Sequence, residues 1–196
     1  MLSLRPVVIL TALLAFSAAC KPSVPPAANP APESGFPATL QGFRLTDSDS
    51  IAQSDGGGRL YRYSSGRSGE WVTVFLYPIP EDIKAAPDSL QWVLIEGRKF
   101  TQIMPIQVQR GRYDAYEMAF ADSQPVVSGR DTIPGFASAA ATRSGGAVSL
   151  QLEYLYLVHG QFLKIRATMP EKDWQQTNAA LFAQDLARLV YSKDLR

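Results

Sequence analysis

Reactive side chains are scarce in this chain: its 196 residues include one cysteine, Cys20, and one histidine, His159. A lone cysteine excludes a disulfide within the chain. Transition-metal centres draw on several His or Cys ligands, so a lone histidine supplies no such centre. A Ser-His-acid set would have to be built on His159, which precedes Gly160 between two alternating runs, where a turn residue is expected, and no GxSxG elbow is present. Gly56, Gly57 and Gly58 lack both GxGxxG spacing and a following helix, so they read as a turn before a strand and not as a phosphate cradle. A dominant charge is missing too, with 19 Lys and Arg against 18 Asp and Glu. That balance gives no positive field of the kind nonspecific nucleic-acid binding requires. No nucleic-acid partner, cofactor or metal is therefore expected, and no residue is assigned a catalytic role.

A hydrophobic run long enough to cross a bilayer, roughly 20 residues, is also lacking. Pro6 to Phe16 is almost unbroken apolar after Arg5, but Ser17, Ala18, Ala19, Cys20 and Lys21 follow at once. A positive start, a short apolar stretch and small residues make the three-part pattern of an export signal. The stretch from Leu14 to Cys20 resembles the lipobox of bacterial lipoproteins, in which small residues precede a cysteine that is acylated before cleavage. Ser17 departs from the leucine usual three places before that cysteine. A secreted protein with a free thiol near its cut site and an uncleaved anchor are the alternatives. The resemblance implies removal of residues 1–19, a thioether-linked diacylglycerol on Cys20 and, in Gram-negative cells, a further acyl chain such as palmitate on its amine. Each buried methylene contributes about 0.8 kcal/mol, so two or three chains anchor stably where one is marginal. Lys21, in place of the aspartate that retains enterobacterial lipoproteins in the inner membrane, favours the outer one. The expected location is the bacterial cell envelope, lipid-anchored and facing the periplasm.

Proline and glycine divide the rest. Residues 20–37 contain Pro22, Pro25, Pro26, Pro30, Pro32 and Pro37 among Ala, Ser and Asn, a tether that at about 3.1 Å per residue spans roughly 50 Å when extended. A single globular domain is expected over residues 38–196. Arg59 to Ser64 and Glu70 to Tyr77 read as a hairpin across the loop Ser65 to Gly69. Leu90, Val93, Leu94, Gly97, Thr101 and Met104 fall at helical spacing, which predicts a helix from Asp88 to Ile103 with Gly97 packed closely on the sheet. Ile106 to Gln109 and Tyr116 to Phe120 read as short strands, and Phe136 to Arg143 and Ala147 to Val158 as longer ones about Ser144, Gly145 and Gly146.

The clearest local signal is at His159 and Gly160, which separate two alternating runs by the two residues of a tight hairpin. Pairing Val158 with Gln161 puts Leu157 opposite Phe162, Leu155 opposite Lys164 and Glu153 opposite Arg166. The other face then carries Leu150, Leu152, Tyr154, Tyr156, Leu163, Ile165, Ala167 and Met169, an apolar core face. A final helix is expected from Pro170 and Glu171, with Thr168 and Glu171 as a capping box and a stripe of Trp174, Asn178, Leu181, Phe182, Leu186, Leu189 and Val190. The fold class is α+β: a largely antiparallel β-sheet with packed helices.

Three constellations invite chemistry. Glu70, Glu96, Asp114, Glu117, Asp122 and Glu153 include enough carboxylates for a glycoside-type pair, though nothing in their spacing selects one. Arg110 and Arg112 about Gly111, with Arg130 and Arg143, offer an anion site set against solvated surface. Asp47 and Asp49 stand two apart as in calcium loops, but without the glycine and distal glutamate of such a loop they read as a solvated turn.

The lipobox, the spacer, Gly42 to Leu45 and the run from Gln151 to Pro170 together resemble uncharacterised envelope lipoproteins with a PsbP-like α/β/α sandwich, most closely over the last third. That resemblance implies a fold and transfers little function. The expectation is a noncatalytic binding or assembly module, held to a membrane by its lipid and meeting an envelope protein partner, with Tyr61, Arg62 and Tyr63 as one candidate surface that core and sheet packing would explain equally well. An envelope hydrolase using paired carboxylates and a small-ligand site in a cleft beside the helix from Asp88 are the alternatives.

Overall fold

His159 and Gly160 take backbone φ of 47° and 71°, the doubly left-handed turn that matches the twist of the strands it joins. Around it the computed structural model, which describes residues 35–53, 56–67 and 69–193, builds one antiparallel sheet. The strands are β1 (Thr39–Leu40), β2 (Phe43–Ile51), β3 (Gly58–Ser64), β4 (Trp71–Pro78), β5 (Ala115–Ser123), β8 (Gly135–Ser144), β9 (Ala147–Val158) and β10 (Gln161–Pro170). They lie in the order β1-β2-β3-β4-β10-β9-β8-β5, and β6 (Val126–Ser128) pairs with β7 (Asp131–Ile133) in a separate hairpin. The register at the His159 turn is the expected one, with Val158 opposite Gln161, Leu155 opposite Lys164 and Glu153 opposite Arg166. Residues 1–34, and with them the expected export signal, Cys20 and most of the proline-rich stretch, lie outside the described residues.

Helices cover both faces of the sheet. Leu152, Tyr154, Tyr156, Leu163, Ile165, Ala167 and Met169 pack against Phe182, Ala183, Leu186, Ala187 and Val190 of α3 (Ala179–Lys193). Small Ala179, Ala183 and Ala187 bring this helix close, and each fully buried phenylalanine such as Phe43 or Phe182 contributes about 1.5–3 kcal/mol. On the opposite face, α1 (Glu81–Lys84) and α2 (Ser89–Gln109) bury Ile83, Val93, Phe100 and Met104 against Phe136, Leu155, Phe162 and Ala140. The result is the expected α+β class, with the sheet as the middle of three layers.

Several local expectations fail for identifiable reasons. The helix opened by Asp88, whose Oδ1 accepts from Gln91 N at 2.9 Å, does not stop at Ile103 but runs to Gln109 with Pro105 inside it. Packing of Phe100 and Met104 overrides the proline, so Ile106 to Gln109 is helix and not a strand. Pro170 and Glu171 do not open the last helix. They begin a 3-10 turn, Glu171–Gln176, and α3 starts afresh at Ala179, whose N–H donates to Thr177 Oγ1 at 3.1 Å. The capping box is absent because Thr168 is still in the sheet, its hydroxyl donating to Gln151 Oε1 at 2.7 Å. Leu181 lies on the outer side of α3, half exposed. Asp47 and Asp49 are not in a turn but in β2, where Asp47 pairs with Arg62. The β6–β7 hairpin, built about Gly129 and Arg130, has only three residues per strand and too little alternation to announce itself.

Candidate functional site

Gly97 sits where an added Cβ would collide with the ring of Phe136 and lie 2.9 Å from its Cβ. That close seat lowers α2 onto the face carrying Tyr77, Glu153, Lys164 and Arg166. Glu96, the residue before Gly97, therefore enters the same layer. Lys164 Nζ donates to Glu96 Oε1 at 2.5 Å, and Tyr77 Oη donates to the same oxygen at 2.8 Å. Lys99 Nζ reaches Glu96 Oε2 at 2.8 Å from solvent. Glu153 lies on the far side of Lys164, 3.9 Å away, and accepts from Arg166 Nε at 2.7 Å. Arg166 in turn stacks over Phe75, 5.7 Å from its ring centre.

Of the six carboxylates singled out from sequence, Glu96 and Glu153 share this cluster. Glu70 accepts from Ser65 within the β3–β4 loop, Asp114 caps the β8–β9 turn through Gly145 N at 2.8 Å, and Glu117 and Asp122 are exposed on β5. The two that meet are 4% and 2% exposed. Burial pushes the Glu96 carboxyl up, but the Lys164 charge and the hydrogen bonds of Lys164, Lys99 and Tyr77 outweigh it and hold the carboxyl below its ordinary range. Tyr77 is pushed well above its ordinary value by burial and by Glu96. A carboxylate held ionised between two ammonium groups is a poor general acid. The expected cross-strand pair of Glu153 and Arg166 forms, half inside, because α2 covers its acidic end.

The same sheet face continues past α2 into an open groove of about 350 Å³ lined by Trp71, Arg112, Tyr113, Thr142, Ser144, Ala147, Ser149, Gln151 and Thr168. Its form follows from register. Trp71 is opposite Thr168, Thr168 opposite Gln151, and Ser149 opposite Thr142. Strand order then puts Trp71 on one bank, hydroxyl and amide side chains on the floor, and Tyr113 with Arg112 on the other bank. That second bank is set by how α2 ends. Gly111 takes φ of 69°, its N–H donates to Val108 O at 2.9 Å, and Arg112 N–H donates to Gln107 O at 2.9 Å, the Schellman closure of a helix. The chain then drops so that Tyr113 packs on Phe100, Met104 and Ala140.

The four arginines do not converge. Arg112 lines the groove, Arg143 alternates to the other face from Thr142, Arg130 is in the β6–β7 turn, and Arg110 caps α2. Of the two readings open for Tyr61 and Tyr63, partner surface or core packing, the second holds, since each is 1% exposed. They point toward α3, where Tyr63 packs edge-on to Phe182 and Tyr61 stacks on Phe36. His159 is a turn residue whose Nε2 lies 2.7 Å from Tyr191 O. Sequence reasoning missed Trp71, Thr142, Ser149, Gln151 and Thr168 as a group. The signal available was a polar residue at each alternate position where the apolar pattern of that face gives out.

No family model matches the chain, and no curated protein matches its sequence. Among solved structures it is similar to cyanobacterial PsbP from Synechocystis sp. PCC 6803, at 14% identity, 75% of this chain, 85% of that one and a TM-score of 0.48. It is also similar to the Ran-binding protein Mog1p of Saccharomyces cerevisiae, at 12% identity, 73% and 79% coverage and a TM-score of 0.35. No residue role passes from either protein to this chain.

Proposed function

We propose that this chain is a lipid-anchored envelope protein whose domain is a noncatalytic binding module, with the groove between Trp71 and Tyr113 as its binding face. The observation that carries the binding half is a 350 Å³ groove with a large aromatic left 48% exposed on its bank and a polar floor. Concave sites with apolar walls and a few placed polar groups are the ordinary form of a ligand site. The noncatalytic half is supported by the fate of the acids: Glu96 and Glu153 are matched by Lys164 and Arg166 and covered by α2. The address rests on the lipobox resemblance at Cys20, which makes the membrane the first partner and an envelope component the second. The export signal and Lys21 support an outer-membrane anchor with the domain facing the periplasm.

Affinity capture from envelopes, comparing the wild-type chain with Trp71→Ala/Arg112→Gln and sequencing both the captured material and the mature N-terminus, tests both halves. The expected result is an acylated N-terminal Cys20 and a bound component that the double variant loses. An unmodified N-terminus, or a peptide still containing Val7 to Ala15, would overturn the address. Capture unchanged in the variant would overturn the groove.

A further inference from the structure

The groove's floor lies in mid-sheet. Its strands already spend their backbone N–H and C=O groups on one another, with β4, β10, β9 and β8 paired through Trp71, Thr168, Gln151, Ser149 and Thr142. An extended peptide adding itself as a strand therefore finds no free ladder there. What the floor offers is side-chain chemistry. Thr168 Oγ1 donates to Gln151 Oε1 at 2.7 Å, which fixes that amide and leaves its NH2 group as donor. The Thr142 hydroxyl is turned to Ser149 O at 3.3 Å, while the Ser149 and Ser144 hydroxyls both donate and accept. The lining is apolar over most of its area, and these hydroxyl and amide groups are the polar points set into it.

The banks add two aromatic rings, one fixed by packing and one nearly half exposed. From β4 to β8 is three strand intervals, about 14 Å, the width of one or two pyranose rings lying flat. Charge narrows the class further. Among the described residues no Asp or Glu lines the groove, and Arg112 makes no ion pair. A guanidinium has the planar fork that takes a carboxylate in two parallel hydrogen bonds.

Resting on the binding reading above, we infer that the groove takes a carboxylate-bearing saccharide. A sugar ring stacks its C–H face on Trp71, its hydroxyls exchange hydrogen bonds with Gln151, Ser149 and Thr168, and its carboxylate meets Arg112. Stacking holds the ring and charge adds to it, so the site prefers an acidic sugar to a neutral sugar and to an acid without rings.

The test uses the full chain in detergent micelles with three probes: digalacturonate, its uncharged dimethyl ester, and triglutamate. Binding is read by saturation-transfer NMR on the probes and by tryptophan fluorescence. Trp71 and Arg112 are exposed, and circular dichroism checks that Trp71→Ala and Arg112→Gln keep the wild-type melting curve. The expected result is groove-dependent binding of digalacturonate, lost in Trp71→Ala and weakened about tenfold in Arg112→Gln, with the ester about tenfold weaker on the wild type and indifferent to Arg112→Gln. Triglutamate binding at least as tightly as digalacturonate, with the same dependence on Trp71, would overturn the saccharide and keep the groove as a binding face. Digalacturonate that fails to bind, or binds Trp71→Ala as well as wild type, would overturn the inference, while the capture experiment separately decides the binding reading.

Discussion

Lys164 holds apart two carboxylates that would otherwise repel each other beneath α2. Removing Lys164 takes away the buried partner of Glu96 and leaves it the half-exposed Lys99, while Glu153 keeps Arg166, whereas replacing a matched pair by apolar groups is close to neutral. Lys164→Met should therefore destabilise the domain by about 1.5–3 kcal/mol in urea titration, and Glu96→Leu/Lys164→Met should recover much of that, since Glu153 keeps Arg166 at 2.7 Å. The sign of the pH effect follows from Glu96, whose folded carboxyl is held below its ordinary value of 4.5. Its contribution is complete above that value and is lost as pH falls through the lower folded one. Urea midpoints measured downward from pH 5 should fall more steeply for the wild type than for Glu96→Gln. Gly97 yields a third expectation. Gly97→Ala gains helix propensity of about 1 kcal/mol, but overpacking against Phe136 costs about 1–3 kcal/mol, so net destabilisation is expected, relieved in Gly97→Ala/Phe136→Leu. Gly97 was legible because a glycine on the apolar side of a helix gives up helix propensity and buried area, a loss that close contact with a neighbouring layer offsets. Lys164 was not, because its register put it on a face whose cover cannot be read from β9 and β10 alone.

Among the elements, the β9–β10 hairpin shows how far local chemistry reaches. Two residues able to take positive φ, with strict alternation on either side, determine the register and so both faces. The helix limits were harder, since Pro105 and Pro170 exert opposite influences from those expected. Pro105 lies inside α2, held there by tertiary packing, while Pro170 ends β10 and leads into a 3-10 turn before α3. Propensity is a local quantity and packing is not. Pro105 removes one helix hydrogen bond, so Pro105→Ala should raise the thermal midpoint, with a gain of about 1–3 kcal/mol, read by calorimetry. A fall in that midpoint would mean that the backbone constraint of Pro105 is needed to seat Tyr113.

At the scale of the molecule, the sequence disclosed the fold class and one core face, and it suggested an address through Cys20. The groove was not legible, because its residues come from β4, β8, β9, β10 and the end of α2, and nothing short of the strand order brings Trp71, Gln151 and Tyr113 together. Tyr61 and Tyr63 stayed open between surface and core for the same reason: aromatic content on a strand does not say which face α3 covers. The central claim, that the open end of the α2 face is the working surface, is tested most directly by placing a photoreactive residue at Ser144 on the groove or at Leu181 on the outer side of α3 and irradiating intact cells. Adducts from position 144 that are absent from position 181 are predicted. Adducts from 181 with none from 144 would contradict the account.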